Sequence, residues 1–349
     1  MSSDEIYILR CLELAAKGLG KTRQNPMVGS VIVHDGKIIG EGYHIQYGQP
    51  HAEVNAINSV TDKSLLREST LYVNLEPCSH YGKTPPCTLL IKDYKIPRVV
   101  IGTIDTNPVV AGKGVKILVE SGIKVITGIK EKECRFLNRR FFTFHEKKRP
   151  YIILKWAQSR DGFIDVIRDP WDTGYPNWIS NQSARVLVHK WRAEEMALMV
   201  GTNTVEIDNP SLTLRHWPGE NPLRVIPDKS LRLSESSAVF TGADKTLVFT
   251  CENKLPEKSN PEYIFLPQEK FSLATIMEEL YKRKILSIMV EGGSVIVNNF
   301  IDSGLWDEAR VFIGNDDFNS GVKAPHIHSD IRDYLYFHGF RLDLFRNES

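Results

Sequence analysis

The sequence predicts an α/β protein built as two domains, and three observations predict it. β-rich runs alternate with helical periodicity from Arg98 to Ile126, strand then helix then strand, which is the pattern of a parallel βαβ layer. The alternation restarts after the basic break Lys147-Lys148-Arg149-Pro150 and continues to Asp302. At 349 residues the chain is long enough for two separate cores. The break divides it into domains of residues 1–147 and 148–349.

In chain order, Asp4 to Lys17 reads as a core-facing helix, with Ile6, Leu9, Leu12 and Ala16 at helical spacing and Gly18 as its stop. Asn25-Pro26 cannot easily be helical, which leaves the Asn25 amide open to a ligand. Asp35-Gly36 between two β-rich runs marks a hairpin. Ala52 to Ile57 is helical with His51 at its first turn, and Thr70 to Leu75 is a strand. Glu76-Pro77-Cys78 is expected to open the next helix, where proline is tolerated and the helix end favours thiolate. Arg98–Gly102 and Ile123–Ile126 are strands around a helix from Lys113 to Ser121, and Glu131 to His145 reads as one long helix. In the second half, strands are expected at Tyr151–Trp156, Met196–Gly201, Leu223–Ile226, Thr246–Phe249 and Ile285–Val290. Helices are expected at Asn181–Glu195, Phe271–Lys284 and Val295–Asp302. The first of these is capped by Ser180 or Asn181.

Composition excludes several classes. A hydrophobic content of 42% and a charged content of 25% are those of a globular protein in water. A net charge of +1 gives no basic field to draw nucleic acid, and no apolar run reaches membrane-spanning length. Cys11, Cys134 and Cys251 are scattered and suggest no disulfide framework, so a reducing cytoplasm is expected. The polar, acidic N-terminus does not read as a signal peptide.

The chemistry concentrates between His51 and Cys87. His51-Ala52-Glu53, then Pro77-Cys78 and Cys87, supply one imidazole and two thiols, the ligand set of an open zinc site. Zinc lowers the pKa of a bound water, and Glu53 is placed to move protons. His-x-Glu followed by Pro-Cys and a second Cys is the signature of zinc deaminases. Most of them separate the two cysteines by two residues; here eight intervene, and the polar insertion carries Gly82, Lys83 and Thr84 beside the metal. In the second half, Gly292-Gly293-Ser294 lies between strand and helix, where backbone N–H groups can hold phosphate. Gly201-Thr202 with the later Asp208 and Arg215 suits a polar cleft.

Together these motifs resemble the bifunctional riboflavin-biosynthesis deaminase/reductase family over nearly the whole chain. The first half carries Asn25-Pro26-x-Val28-Gly29, Pro50-His51-Ala52-Glu53 and the long Cys78-to-Cys87 insertion. The second carries Lys155 with Ser159-x-Asp161-Gly162, Trp178-Ile179-Ser180, Arg192-Ala193, Asp208-x-Pro210-x-Leu212-Thr213-x-Arg215 and Val290-Glu291-Gly292-Gly293. The resemblance implies a cytidine-deaminase-like αβα domain followed by a dihydrofolate-reductase-like α/β domain using NADPH. It implies hydrolytic deamination of a diaminopyrimidinone ribosylamine phosphate at zinc held by His51, Cys78 and Cys87, with Glu53 catalytic. Asn25, Lys83, Thr84 and Asn107 match its deaminase substrate positions. Ala157, Trp178, Thr204, Asp208, Gly293 and Ser294 match positions for the NADPH cofactor, and Lys155, Arg192, Leu212, Arg215 and Glu291 match the reductase substrate positions. Arginine suits the phosphate because its fork binds oxygens bidentately.

The chain departs from the family pattern at Thr106, where proline is usual, and in the loop from Ile167 to Asn177, where Pro176 stands in place of serine. The rival reading is a zinc nucleobase or nucleoside deaminase with an inactive, scaffold-like second half. A small-molecule substrate, no nucleic acid, no membrane and a homo-oligomer are the expected partnerships.

Overall fold

The computed structural model describes residues 1–81, 85–107, 111–167, 179–255, 260–328, 330–337 and 339–347. Lys83, Thr84 and Trp178 lie outside the described residues. The chain divides into two compact units, Met1–Lys148 and Arg149–Ser349.

The first unit is a three-layer αβα sandwich. Its elements are α1 (Ser3–Ala16), β1 (Gly29–His34), β2 (Lys37–Tyr43), α2 (Ala52–Ser59), β3 (Thr70–Leu75), α3 (Cys87–Asp93), β4 (Arg98–Thr103), α4 (Lys113–Glu120), β5 (Lys124–Thr127), α5 (Glu131–Leu137) and α6 (Arg139–Lys147). The five strands pair in the order β2-β1-β3-β4-β5. β1 runs antiparallel to both neighbours, and β3, β4 and β5 are parallel. The hairpin turn places Asp35 and Gly36 at φ 48° and 72°, both left-handed as an Asp-Gly hairpin requires. Strand alternation sends Ile32, Leu71, Val73, Val99 and Ile101 to one face, where they meet Ala56 and Ile57 of α2, Ile91 of α3 and Leu118 of α4. Val31, Val33, Tyr72 and Val100 face the other way, onto Ile8, Cys11 and Leu14 of α1 and Cys134 of α5.

Three expectations are corrected here. Helix α1 buries Ile8, Cys11, Leu14 and Ala15, not the stripe beginning at Ile6, which is 52% exposed. Two apolar stripes overlap on this helix, and Gly29 of β1 selects between them: a Cβ there would lie 2.1 Å from the Cys11 carbonyl oxygen, so only glycine lets that face sit on the sheet. The single helix expected from Glu131 to His145 is two, broken at Asn138. The Asn138 amide is buried and turned to the backbone of Met27, accepting its N–H at 2.8 Å and donating to its carbonyl at 2.8 Å. Glu76-Pro77-Cys78 does not open a helix. Glu76 N–H instead donates to Thr103 O at 3.0 Å, prolonging the β3–β4 pairing, and the following helix starts only at Cys87, after Pro85-Pro86.

The second unit places a nine-stranded sheet between helices. Its elements are β6 (Tyr151–Gln158), β7 (Phe163–Asp165), α7 (Gln182–Glu194), β8 (Ala197–Met199), α8 (Thr202–Asp208), β9 (Leu223–Pro227), β10 (Thr246–Thr250), β11 (Glu262–Phe265), α9 (Leu273–Lys282), β12 (Ser287–Glu291), α10 (Ser294–Asp302), β13 (Glu308–Ile313), β14 (Val322–Lys323), β15 (Asp333–Phe337) and β16 (Phe340–Arg346). The strand order is β11-β10-β9-β8-β12-β6-β13-β16-β15, and β7 pairs with β14 apart from it. The pairings are parallel from β11 to β13 and antiparallel through β16 and β15. Helices α9 and α10 cover one face through Ile276, Met277, Leu280, Val297 and Phe300. Val188 and Trp191 of α7 and Val205 of α8 cover the other. Asn181, not Ser180, caps α7, its side chain accepting from Ala184 N–H. The Gly201–Val205 segment, read from sequence as the end of a strand beside a polar cleft, turns into helix α8 after Gly201, and Thr202 Oγ1 donates to Pro227 O at 2.7 Å.

Asn138 gives a stability test. Asn138→Ala strands the buried Met27 N–H, at a cost of about 1–3 kcal/mol. Urea unfolding should report that loss; an unchanged midpoint would show that the amide plays no part in setting the α5–α6 break.

Candidate active site

The metal-type site forms where three chain elements end together. His51 is the residue before α2, Cys78 lies three residues past β3, and Cys87 opens α3. His51 Nδ1 stands 3.4 Å from Cys78 Sγ and 3.4 Å from Cys87 Sγ, and the three donor atoms lie within 4.8 Å of one another. Tetrahedral zinc with bonds of about 2.0 Å to nitrogen and 2.3 Å to sulfur sets nitrogen–sulfur separations of roughly 3.5 Å. The donors present therefore fit zinc. Among the described residues, no other group of three histidine, cysteine or acidic side chains is gathered in this way.

Electrostatics prepare the ligands. The Cys87 thiol, hydrogen-bonded to Cys78, pulls the Cys78 pKa down to about 4 against the cost of burial, with the His51 imidazole and the Cys87 N–H assisting. That N–H, the first of α3, donates to Cys78 Sγ at 3.3 Å. A helix N-terminus does favour the Cys78 thiolate, but it belongs to the helix that Cys87 begins. Glu53 is 3% exposed in the first turn of α2. Burial pushes its carboxyl up, the Cys78 charge adds to the rise, and the carboxyl meets the Cys87 thiol. A carboxyl with a raised pKa, set against the ligands, is suited to giving and taking protons.

The Asn25 amide is not open, as its place before proline suggested. Its Nδ2 lies 3.0 Å from His44 Nε2, and His44 Nδ1 lies 3.1 Å from Pro50 O. A carbonyl only accepts, so Nδ1 carries the proton, Nε2 accepts from Asn25, and Asn25 keeps its carbonyl oxygen for other contacts. The His44 ring stands edge-on to His51 at 5.6 Å. His44 was missed from sequence; its signal was a histidine two residues after Gly42, where a Cβ would lie 2.3 Å from Ala56 N of α2. Asn107 follows β4, and its N–H donates to Asp105 Oδ1 at 2.7 Å. Burial lifts Asp105 to about 6 despite that hydrogen bond, with the Glu76 and Cys78 charges adding to it.

In the second unit the register of three strands assembles a charged cluster. Glu291 of β12 and Arg310 of β13 both stand opposite Lys155 of β6. Lys155 Nζ is 3.7 Å from Glu291, and Arg192 of α7 binds Glu291 bidentately, Nε–Oε1 2.7 Å and Nη2–Oε2 2.8 Å. Burial alone would raise the Glu291 pKa, but Arg192 and Lys155 outweigh it and hold the carboxyl at about 2. Arg192 thus spends its fork on Glu291, whereas Arg215 is exposed. The Arg215 N–H is tied to α7, donating to His189 Nδ1 at 3.1 Å, and burial, with the Arg192 charge next, lowers His189 to about 4, so that it accepts as a neutral ring. Leu212 is buried at a left-handed φ of 56°, beside a Ser211–Thr213 hydroxyl pair at 3.0 Å. For a non-glycine residue that backbone stores about 1–3 kcal/mol.

Three of the cofactor candidates, Thr204, Gly293 and Ser294, meet at the start of α10. Gly293 N–H donates to Thr204 Oγ1 at 3.1 Å, Ser294 is the first residue of α10, and Asp208 closes α8. A Cβ on Gly292 would come 3.2 Å from the Ile296 side chain and 3.5 Å from Thr204 Oγ1, so the turn packs closely on α8 and α10. Exposed backbone at a helix start, with a hydroxyl alongside, fits a phosphate-bearing cofactor. Ala157 lies half-buried near the end of β6.

Known proteins match both halves. The family described as the cytidine and deoxycytidylate deaminase zinc-binding region matches residues 1–103, and the RibD C-terminal domain matches residues 150–315. Riboflavin biosynthesis protein RibD of Aquifex aeolicus is 43% identical over 314 residues, 89% of this chain and 86% of that protein. The chain belongs to the RibD family. The Synechocystis RibD is 40% identical over 331 residues, covering 93% and 88% of the two chains. A solved Thermotoga maritima structure, named a diaminohydroxyphosphoribosylaminopyrimidine deaminase/5-amino-6-(5-phosphoribosylamino)uracil reductase, superposes with a TM-score of 0.89. It is 39% identical and covers 99% of each chain. As a RibD-family member the chain is a bifunctional zinc deaminase and reductase of riboflavin biosynthesis, with a cytidine-deaminase-like first half and a RibD C-terminal second half. The scaffold-only reading of the second half loses to that match. Among the described residues no helix is long and apolar enough to cross a membrane.

The Arg192–Glu291 pair carries a signed pH dependence. Glu291 titrates at about 2 in the folded chain against 4.5 ordinarily, so its contribution is complete above pH 4.5 and is lost as the pH falls towards 2. The stability difference between the wild-type chain and Glu291→Gln should be flat above pH 5 and shrink below 4.5. A difference that grows on acidification contradicts the pairing.

Proposed function

We propose that residues 1–147 deaminate the pyrimidine 2-amino group of 2,5-diamino-6-(5-phosphoribosylamino)pyrimidin-4-one, and that residues 148–349 then reduce the ribosyl group of the product to ribityl. The observation that carries the first step is His51 Nδ1 at 3.4 Å from both cysteine sulfurs, with Glu53 buried alongside. His51, Cys78 and Cys87 hold the metal. Zinc, when bound, polarises water and lowers its pKa towards neutrality. Glu53 would accept the proton of the water whose oxygen bonds to the ring carbon and pass it to the exocyclic amino nitrogen, whose bond to that carbon breaks as ammonia leaves. Asn25, oriented by His44, and Asn107 hold the pyrimidine, while Lys83 and Thr84 of the insertion take the phosphate end.

For reduction, NADPH supplies the hydride. Thr204, Asp208 and the Gly293-Ser294 turn hold it, with Ala157 and Trp178. Lys155 faces the substrate from the centre of the sheet, and Leu212 shapes the pocket wall. Arg215 meets the phosphate, and Glu291 fixes both Arg192 and Lys155 beside it. The same reading takes the chain as a homo-oligomer of the cytoplasm that binds small molecules only. Edge strand β15 supports the oligomer, since Tyr334, Leu335 and Tyr336 are 55%, 53% and 77% exposed on a strand that, among the described residues, pairs on one side only.

Three variants test the assignment. Glu53→Gln should retain zinc and lose ~10²–10⁴-fold in deamination. Cys78→Ser should lose zinc and deamination together; metal retained in that variant sinks the ligand set. Arg215→Ala should raise the KM for reduction with little change in kcat, because a phosphate contact remote from the reacting carbon is mostly uniform binding. Ammonia release in that variant should be unchanged, and its loss with zinc still bound would end the two-site assignment.

A further inference from the structure

Glu76 stands two residues before Cys78 and is 4% exposed, yet neither metal binding nor proton transfer uses it. Its carboxylate is fully engaged with backbone. Oε2 accepts from Asp105 N–H at 3.2 Å and from Gly112 N–H at 2.9 Å. Oε1 accepts from Gly114 N–H at 2.8 Å and Val115 N–H at 3.1 Å in the first turn of α4. Asp105 and Gly112 bracket Asn107 in the chain, so a single oxygen ties both feet of the segment that presents it. Asn107 is held again from within, its N–H on Asp105 Oδ1 and its carbonyl accepting from Ala111 N–H at 2.9 Å. An independent contact marks the same junction: a Cβ on Gly114 would lie 2.2 Å from Pro77 O, so the start of α4 rests directly on the turn that delivers Cys78.

We propose that Glu76 is a positioning residue for deamination, locking the Asn107 segment to the Cys78 turn so that substrate contact and metal ligand keep one fixed spacing. The proposal rests on the reading of Asn107 as a substrate contact. Four N–H donors converge on one carboxylate, and glutamine cannot replace it, because its NH2 would face two of them. The zinc ligands themselves are held elsewhere, by α2 and by the Cys87 and Thr88 N–H groups on Cys78 Sγ and O. Loss of Glu76 therefore shifts the substrate segment rather than the metal.

The test uses the full chain and four variants, Glu76→Gln, Gly114→Ala, Asn107→Ala and the Glu76→Gln/Asn107→Ala double. Zinc per chain, reduction and steady-state deamination are measured on each. Glu76→Gln and Gly114→Ala should keep zinc and NADPH-dependent reduction while kcat/KM for deamination falls ~10–100-fold, mainly through KM, as misplacement by about 1 Å does. The double variant should be little worse than Asn107→Ala alone, since both changes remove one contact. Unchanged KM in Glu76→Gln and Gly114→Ala, fully additive losses, or zinc loss that accounts for the lost activity would each overturn the proposal. An Asn107→Ala enzyme with unchanged KM overturns the Asn107 assignment instead, and Glu76 then keeps its role only if Glu76→Gln still raises KM.

Discussion

Everything in the first unit depends on bringing three ligand atoms from three separate elements within 4.8 Å. A single loop does not do this. His51 arrives at the start of α2, Cys78 beyond the carboxyl end of β3 and Cys87 at the start of α3. The parallel pairing of β3 with β4 puts Cys78 and Asn107 past neighbouring strand ends, the side of an α/β sheet where ligands collect. Glycine permits the approach. At Gly42 a Cβ would lie 2.3 Å from Ala56 N, so any side chain there would lift α2, and His51 with it, off the sheet.

The same layout forces charges into the interior, and each is handled differently. Glu53 is left with a raised pKa by its burial, a state suited to a carboxyl that gives and takes protons. Glu76 is surrounded by backbone donors and serves geometry. In the second unit Glu291 is held ionised by Arg192 and Lys155, and removing one partner would leave an uncompensated buried charge. Such a pair is weak evidence for net stability, but it fixes where the Lys155 ammonium and Arg192 guanidinium stand.

How much of this was legible follows from how local each signal is. The hairpin at Asp35-Gly36, the strand Thr70–Leu75 and the helix beginning after His51 were readable because turn residues and β-branched runs act over a few positions. The α1 face was misread because two stripes fit its periodicity, and the choice lies with Gly29 on another element. The break at Asn138 was invisible because its cause is Met27, 111 residues away. The helix expected at Glu76 failed because its N–H joined Thr103 in a strand pairing that no local propensity encodes.

The sequence by itself determined the chemistry of this protein: one imidazole, two thiols and a glutamate in fixed order, and a second half with the Glu-Gly-Gly turn and its arginines. Side-chain identity and short spacing carry that information, and both are written in the chain. Only the tertiary structure decided which groups meet. It gave the fork of Arg192 to Glu291, linked Asn25 through His44 to Pro50, and hung the Asn107 segment on Glu76. Each of these contacts relieves a buried polar group of its desolvation cost, and a buried group takes whichever partner the packed layers bring within about 3 Å.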